Sequence, residues 1–452
     1  MAKQRTAFVC NDCGADSSKW AGQCPECKAW NTMVEIKLGS SSKSTPVRSG
    51  FAGARSAVKV LDDINVAETP RFTSGTGEFD RVLGGGLVPG SVILIGGNPG
   101  AGKSTLLLQT LCQLAATMPA LYVTGEESLE QVAMRASRLG LPTNKLQMLA
   151  ETDVQSILIA AQQVSPKLLV VDSIQVMHMS EVVSAPGSVT QVRECAAVLT
   201  RFAKQTGTVL LLVGHVTKDG SLAGPKVLEH MVDCSIMIEG SDDSRYRTLR
   251  GTKNRFGAVN ELGVFAMTEQ GLKEVKNPSA IFLSRGGDVS AGSVVMVVWE
   301  GTRPLLVELQ ALVDISSFGN PRRVAVGADQ NRLAMLLAVL HRHGGLQLGD
   351  QDVFVNVVGG VKVMETGADL ALILAMVSSF RDRPLPQDLV VFGEVGLSGE
   401  IRPVPGGQDR LKEAAKHGFK CAIVPRANVP KTGIKGMEII AVDKLSQALE
   451  AV

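Results

Sequence analysis

The segment GGNPGAGKST (96–105) carries the most specific chemistry in the chain. It contains G-x-x-x-x-G-K-S, with Gly97, Gly102, Lys103 and Ser104 at the fixed positions. Glycines there let backbone N–H groups curl around phosphate oxygens, the lysine reaches the terminal phosphates, and the serine hydroxyl ligates Mg²⁺. The whole loop (Gly97, Asn98, Pro99, Gly100, Ala101, Gly102, Lys103, Ser104, Thr105) is therefore expected to cradle a nucleoside triphosphate, with Mg²⁺ held through Ser104. An apolar strand pattern, SVILIGG (91–97), enters the loop, and the helical pattern KSTLLLQTLCQLAA (103–116) leaves it.

Three further polar residues close apolar strand patterns. Asp172 ends LLVVD, where a P-loop enzyme needs an acid to orient Mg²⁺, although an aspartate there can also cap the following helix. Glu126 and Glu127, in YVTGEES, stand where a carboxylate can polarise an attacking water or serve as a first-turn helix acid. His215 closes LLLVGH on the same sheet edge, and ligands of α/β sheets bind at that edge.

A second constellation is CNDCGADSSKWAGQCPEC (10–27). Two C-x₂-C pairs separated by ten residues form two knuckles whose thiolates, from Cys10, Cys13, Cys24 and Cys27, can surround one tetrahedral Zn²⁺. A unit of 36 residues needs such a staple to fold. The other four cysteines, Cys112, Cys195, Cys234 and Cys421, stand alone and read as small buried apolar residues.

These residues need elements to hold them. At 452 residues the chain is expected to form two or three domains. No apolar run approaches a membrane span, and the N-terminus lacks the apolar stretch of a signal peptide, so a cytoplasmic location is expected. Net charge is only +2, which excludes a uniformly basic nucleic-acid coat and leaves local patches to do any such binding. The sequence divides into a cysteine module (1–36), a Ser/Gly-rich basic linker (37–65), a strand–helix alternation (66–275) and a second domain (280–452). ALYVTG (120–125), PKLLVVDS (166–173) and GTVLLLVGH (207–215) are continuous apolar runs, as strands of a parallel sheet covered on both faces are. Residues 233–268 shift to shorter, hairpin-like strands. The second domain opens β-rich (292–313), with helical patterns at 328–343 and 368–380.

The remaining cluster is KNRFG (253–257), which sets Lys253 and Arg255 around an amide, with an aromatic ring and a turn residue following. By itself it is compatible with nucleic-acid binding, with a phosphate on a neighbouring subunit, or with a solvated loop.

The order of four-cysteine module, P-loop core and KNRFG resembles the bacterial RadA (Sms) family of DNA repair proteins from end to end. The resemblance implies an α/β multidomain protein: a zinc module, a RecA-like ATPase with a mostly parallel sheet, and an α+β Lon protease-like domain. It implies an ATP-driven helicase or branch-migration motor acting on single-stranded and branched DNA in stress-responsive repair, beside the RecA recombinase, as a homohexameric ring without membrane attachment. Glu126 then falls at the water-activating carboxylate and His215 at the γ-phosphate sensor. Residues 180–195 and 217–230 match two mobile loops lining a ring's channel, with Gln191, Arg193, Lys218 and Lys226 meeting DNA phosphates. Lys253 and Arg255 become candidates for γ-phosphate contact in trans, with direct DNA contact as the rival.

In the Lon-like region, GEVGLSGEIRPVPGGQDRLKEAAKHGFK resembles the segment of that family that bears the catalytic lysine, and Gln408 takes the lysine's position. VMETGADLALILAMV (363–377) contains no serine, so a Ser–Lys dyad is missing both members. Arg322, Arg323, Arg381 and Arg383 are possible duplex-DNA contacts, though solvated surface is their more ordinary role.

Overall fold

The computed structural model describes residues 5–17, 19–38, 71–215, 227–240, 245–283, 290–316 and 319–452. Almost all of the expected linker, together with Lys218 and Lys226, lies outside these residues. The chain forms two compact units, Met1–Val275 and Lys276–Val452.

The first unit opens with a three-stranded antiparallel ribbon, β1 (Arg5–Cys10), β2 (Asp16–Ser17) and β3 (Met33–Leu38), in the order β2-β1-β3. Its small core is Cys10, Cys24 and Met33, with Phe8, Cys13 and Ala15 against it.

The nucleotide domain follows, with α1 (Gly77–Leu83), β4 (Val92–Gly97), α2 (Lys103–Leu114), β5 (Ala120–Thr124), α3 (Leu129–Arg138), β6 (Gln147–Ala150), α4 (Val154–Val164) and β7 (Leu168–Asp172). It continues through α5 (Val189–Thr206), β8 (Val209–Val213), α6 (Val227–Met231), β9 (Cys234–Glu239), β10 (Tyr246–Asn254), β11 (Leu262–Thr268) and β12 (Gly271–Glu274). Nine strands make one sheet, β12-β11-β10-β9-β4-β8-β7-β5-β6. The six from β9 to β6 are parallel, and the last three in sequence are antiparallel additions. Strands β4, β5, β7 and β8 are buried along their whole length, because α2 and its neighbours cover one face and α4 and α5 the other. Cys112, Cys195 and Cys234 are buried in this core, and burial raises all three thiol pKa values, Cys112 to about 11 and the other two to about 12.

The second unit comprises β13 (Ser293–Glu300), β14 (Arg303–Ile315), β15 (Arg323–Val326), α7 (Gln330–Gly344), β16 (Gln351–Val357), α8 (Asp369–Arg381) and β17 (Leu389–Val391). It ends with β18 (Glu394–Val395), β19 (Ile401–Arg402), α9 (Gly407–Lys416), β20 (Cys421–Pro425), β21 (Glu438–Val442) and α10 (Leu445–Glu450). Its mixed seven-stranded sheet runs β15-β16-β14-β13-β17-β20-β21, with β18 and β19 paired separately. Helix α8 is apolar nearly all round and is accordingly buried from Asp369 to Ser378. Cys421 is half-buried here, so the expectation of a buried cysteine holds only in part.

Candidate nucleotide and nucleic-acid site

The phosphate loop sits between β4 and α2, and its backbone explains its glycines. Gly102 is left-handed (φ +101°) as the residue that enters α2, and a Cβ on Gly97 would lie 2.6 Å from the Ile238 carbonyl oxygen. Lys103 is almost fully buried and donates to the carbonyls of Gly97 (2.8 Å) and Asn98 (2.9 Å). Burial pulls its pKa below the usual ammonium value, and the nearby Asp172 and Glu126 carboxylates oppose that fall. All three charges thus converge on one sheet edge.

Asp172 ends β7 and accepts a hydrogen bond from the Tyr122 hydroxyl at 2.5 Å. Burial is the first cause, and the Asp172 carboxylate the second, that hold the Tyr122 phenol well above its ordinary pKa. The Ser104 hydroxyl works in the opposite direction, as the last of the causes, and lowers it. Tyr122 was hidden among the apolar residues of its strand.

The two glutamates separate cleanly. Glu127 pairs with Arg135 of α3, and its N–H donates to Thr124 Oγ1 at 3.1 Å. Glu126 faces the site, accepting from the Ser173 hydroxyl and lying 3.2 Å from His215 Nε2. Glu126 and His215 come from different strand ends, so the fold joins residues 89 positions apart.

KNRFG lies elsewhere. Cys234 of β9 is opposite both Ile93 of β4 and Asn254 of β10, whereas Gly97, which opens the phosphate loop, is opposite Ile238. Four residues of strand separate the two levels, roughly 13 Å. Lys253 donates to the carbonyls of Glu229 and Val232 (the latter at 2.8 Å), where α6 ends. Arg255 pairs with Asp233 at 3.2 Å, and Asn254 donates to the Val82 carbonyl at 3.2 Å. Asp233 is buried and gathers Lys204 at the end of α5, Arg255, and the N–H of Val92 at 3.0 Å. Lys253 and Arg255 are thus at the sheet edge opposite their own phosphate loop.

The expected DNA-contact residues diverge. Gln191 is buried: its amide donates to the carbonyls of Met179, Val182 and Ser184 and accepts from the Met179 N–H. It braces its own loop and has no surface for a phosphate, which corrects the expectation. The proposed loop also stops earlier than 195, because Ser188 caps α5 by accepting from the Gln191 N–H and residues 189–195 are helical. Arg193 remains half-exposed, paired with Glu194, and its guanidinium lies against Gly14 of the zinc module. Arg323 is bound to the carbonyls of Arg322, Gln351 and Leu348, so it is committed within its own domain.

The four thiols Cys10, Cys13, Cys24 and Cys27 all lie within 4.8 Å of one another. Cys10–Cys27 and Cys13–Cys24 are 3.6 and 3.5 Å apart, close to the ~3.8 Å between sulfurs placed about 2.3 Å from one tetrahedral zinc ion. The donor set fits Zn²⁺.

In the second unit, Gln408 is exposed in the first turn of α9. Arg410 reaches inward instead. It is fully buried, forks onto both oxygens of Glu365 at 2.7 Å, and lies 5.8 Å from the Trp299 ring centroid and 5.7 Å from that of Phe392. Beside it, Asp369 is buried against Arg332, whose Nε is 2.9 Å away, and accepts from the Val395 N–H at 3.1 Å.

The family models agree with this arrangement. One described as AAA domain matches residues 71–221, Rubredoxin metal binding domain matches 8–35, and Subunit ChlI of Mg-chelatase matches 319–428. The zinc ribbon, the P-loop ATPase domain with its mostly parallel sheet, and the Lon-like C-terminal domain expected from the sequence are all present. Among the described residues, no helix is long and apolar enough to cross a membrane. Three relatives bear the name DNA repair protein RadA: those of Escherichia coli (71% identical), Pseudomonas aeruginosa (63%) and Bacillus subtilis (50%). Each alignment covers at least 99% of both chains. The chain belongs to the RadA family of DNA repair proteins.

Proposed function

We propose that this chain hydrolyses ATP to move along single-stranded DNA, extending or branch-migrating paired strands beside the RecA recombinase. It would work in the cytoplasm as a homohexameric ring. The observation that carries the reading is the division of charges between the two edges of one sheet. Lys103, Asp172, Glu126 and His215 form one half of a phosphate-handling site, while Lys253 and Arg255 stand at the far edge, beyond reach of their own loop. A ring supplies the geometry in which one copy's far edge meets the next copy's phosphate loop. Ser104 and Asp172 would hold Mg²⁺, which would supply positive charge to offset that of the phosphates. Glu126 would orient the attacking water, with Ser173 and His215 fixing its carboxylate.

We read the Lon-like domain as catalytically silent and retained for assembly. Its serine and lysine are missing, and the Glu365–Arg410 pair occupies the segment where a dyad would act. ATP hydrolysis stimulated by single-stranded DNA, lost in Lys103→Ala, tests the motor reading. Absent stimulation overturns it. ATP-dependent binding without strand displacement favours a switch that recruits partners instead.

A further inference from the structure

The zinc module holds two of the chain's three tryptophans, and neither serves its core. Trp20 is 62% exposed and Trp30 69% exposed, while the interior is made from cysteines, Met33 and small neighbours. Burying an indole is among the largest stabilising contributions available to a small unit, so leaving two in water needs a reason. The two rings flank Gly22. A Cβ on that glycine would lie 3.7 Å from Trp20 and 3.8 Å from Trp30, so the missing side chain keeps the space between the rings clear.

A lysine stands within two residues of each indole. Exposed Lys19 precedes Trp20, and exposed Lys28, whose carbonyl is held by Gln23 at 2.9 Å, lies two residues before Trp30. Of the module's four acids, Asp12 and Glu26 belong to the C-x₂-C turns, and Asp16 and Glu35 to β2 and β3. On the module's other knuckle, Gly14 lies against Arg193 at the start of α5, the basic residue that the motor reading assigns to DNA.

We propose that Trp20 and Trp30 form a stacking platform for bases of single-stranded DNA, with Lys19 and Lys28 meeting the flanking phosphates. This rests on the motor reading, and it gives the zinc module a purpose, since the metal replaces an aromatic core and leaves the indoles free to bind. Stacking on aromatic side chains tolerates any base because every base has a π-face, which suits a protein that must move along arbitrary sequence.

The test uses full-length protein, zinc-loaded, with ATP and a fluorescent oligothymidylate. Trp20→Ala/Trp30→Ala is expected to weaken binding by roughly tenfold or more. Trp20→Phe/Trp30→Phe should stay within about threefold of wild type, because a phenyl ring still stacks. The fold loss should be constant between low and high salt, since stacking releases no counterions, whereas Lys19→Ala/Lys28→Ala should flatten the salt slope. Quenching of tryptophan emission by the oligonucleotide should vanish in the alanine variant, leaving only Trp299. Unchanged zinc content shows that the module is still folded. If wild type binds the oligonucleotide and the alanine variant binds equally well, the platform is overturned and the motor reading stands. If the alanine variant keeps its DNA affinity but loses binding to the recombinase, the pair is a protein contact and the proposal is likewise overturned. If wild type does not bind single-stranded DNA at all, both readings fall.

Discussion

The ammonium of Lys253 donates to the carbonyl of Val232, 2.8 Å away, at the point where α6 passes into β9. Burial, and then the neighbouring Arg255, lower the pKa of Lys253, so the contact holds a partly desolvated lysine against a helix C-terminus. Next to it Asp233 grips Arg255 and Lys204 together. KNRFG is therefore built into the core domain through backbone carbonyls and a buried carboxylate, and its position is set by the fold.

The separation of KNRFG from its own phosphate loop gives a mixing experiment. Arg255→Ala and Lys103→Ala should each lower ATP hydrolysis at least 100-fold on their own, in line with arginine fingers elsewhere. Combined, they should recover a measurable fraction, because junctions form in which one copy supplies Lys103 and its neighbour supplies Arg255. A mixture no more active than either variant argues that both groups serve a site within one chain.

The partners of the two glutamates predict unequal effects. Glu126→Gln should keep ATP binding and lower turnover by roughly 10²–10⁴-fold, the range of a lost general base. Glu127→Gln loosens a pairing with Arg135 and should stay within about threefold of wild type in turnover. Single-turnover hydrolysis of bound ATP separates the two cases.

Tyr122→Phe removes the hydroxyl that donates to the Asp172 carboxylate. Its expected signature is a rise of about tenfold in the Mg²⁺ concentration that half-saturates hydrolysis, as for other groups that orient metal ligands from behind. Nucleotide affinity without Mg²⁺ should be unchanged. A Mg²⁺ titration of turnover checks the first, and fluorescent-nucleotide binding in EDTA the second.

Arg332→Ala leaves the buried Asp369 carboxylate without its guanidinium and should cost about 3–5 kcal/mol of stability in the second unit at neutral pH. Burial already raises the folded pKa of Asp369 above its ordinary 3.8, with Arg332 opposing, so losing Arg332 raises it further. A raised carboxyl pKa costs nothing at a pH where the group is protonated in both states, and its penalty grows as pH rises from 3.8 to the folded value. The deficit should therefore shrink as pH falls toward 3.8 and be largest at neutral pH. Urea titrations at several pH values read this directly, and a pH-independent deficit would mean that the loss comes from packing alone.

The sequence announced the phosphate loop, the zinc ligands and the main strands because each signal is local. Apolar runs such as LLVVD and VLLLV could only be buried strands, and Gly102 is demanded by backbone curvature at its own position. Residues defined by distant partners were harder to read. Gln191 resembles a surface donor in a polar stretch until the loop at 179–184 folds back over it. Its one local clue is Ser188, which starts a helix three residues earlier. Arg410 was overlooked beside Gln408, because only the tertiary fold brings Glu365 to it across 45 residues. Short half-exposed strands such as β6 and β15 lack the apolar run that revealed the others.

The placement of the phosphate loop and KNRFG on opposite edges of one sheet also bears on inheritance. On the ring reading, a copy with damaged KNRFG keeps its own phosphate loop and disables the neighbour that relies on it. A cell producing intact and damaged copies together would then carry impaired junctions in most rings, and the faulty allele would behave as dominant.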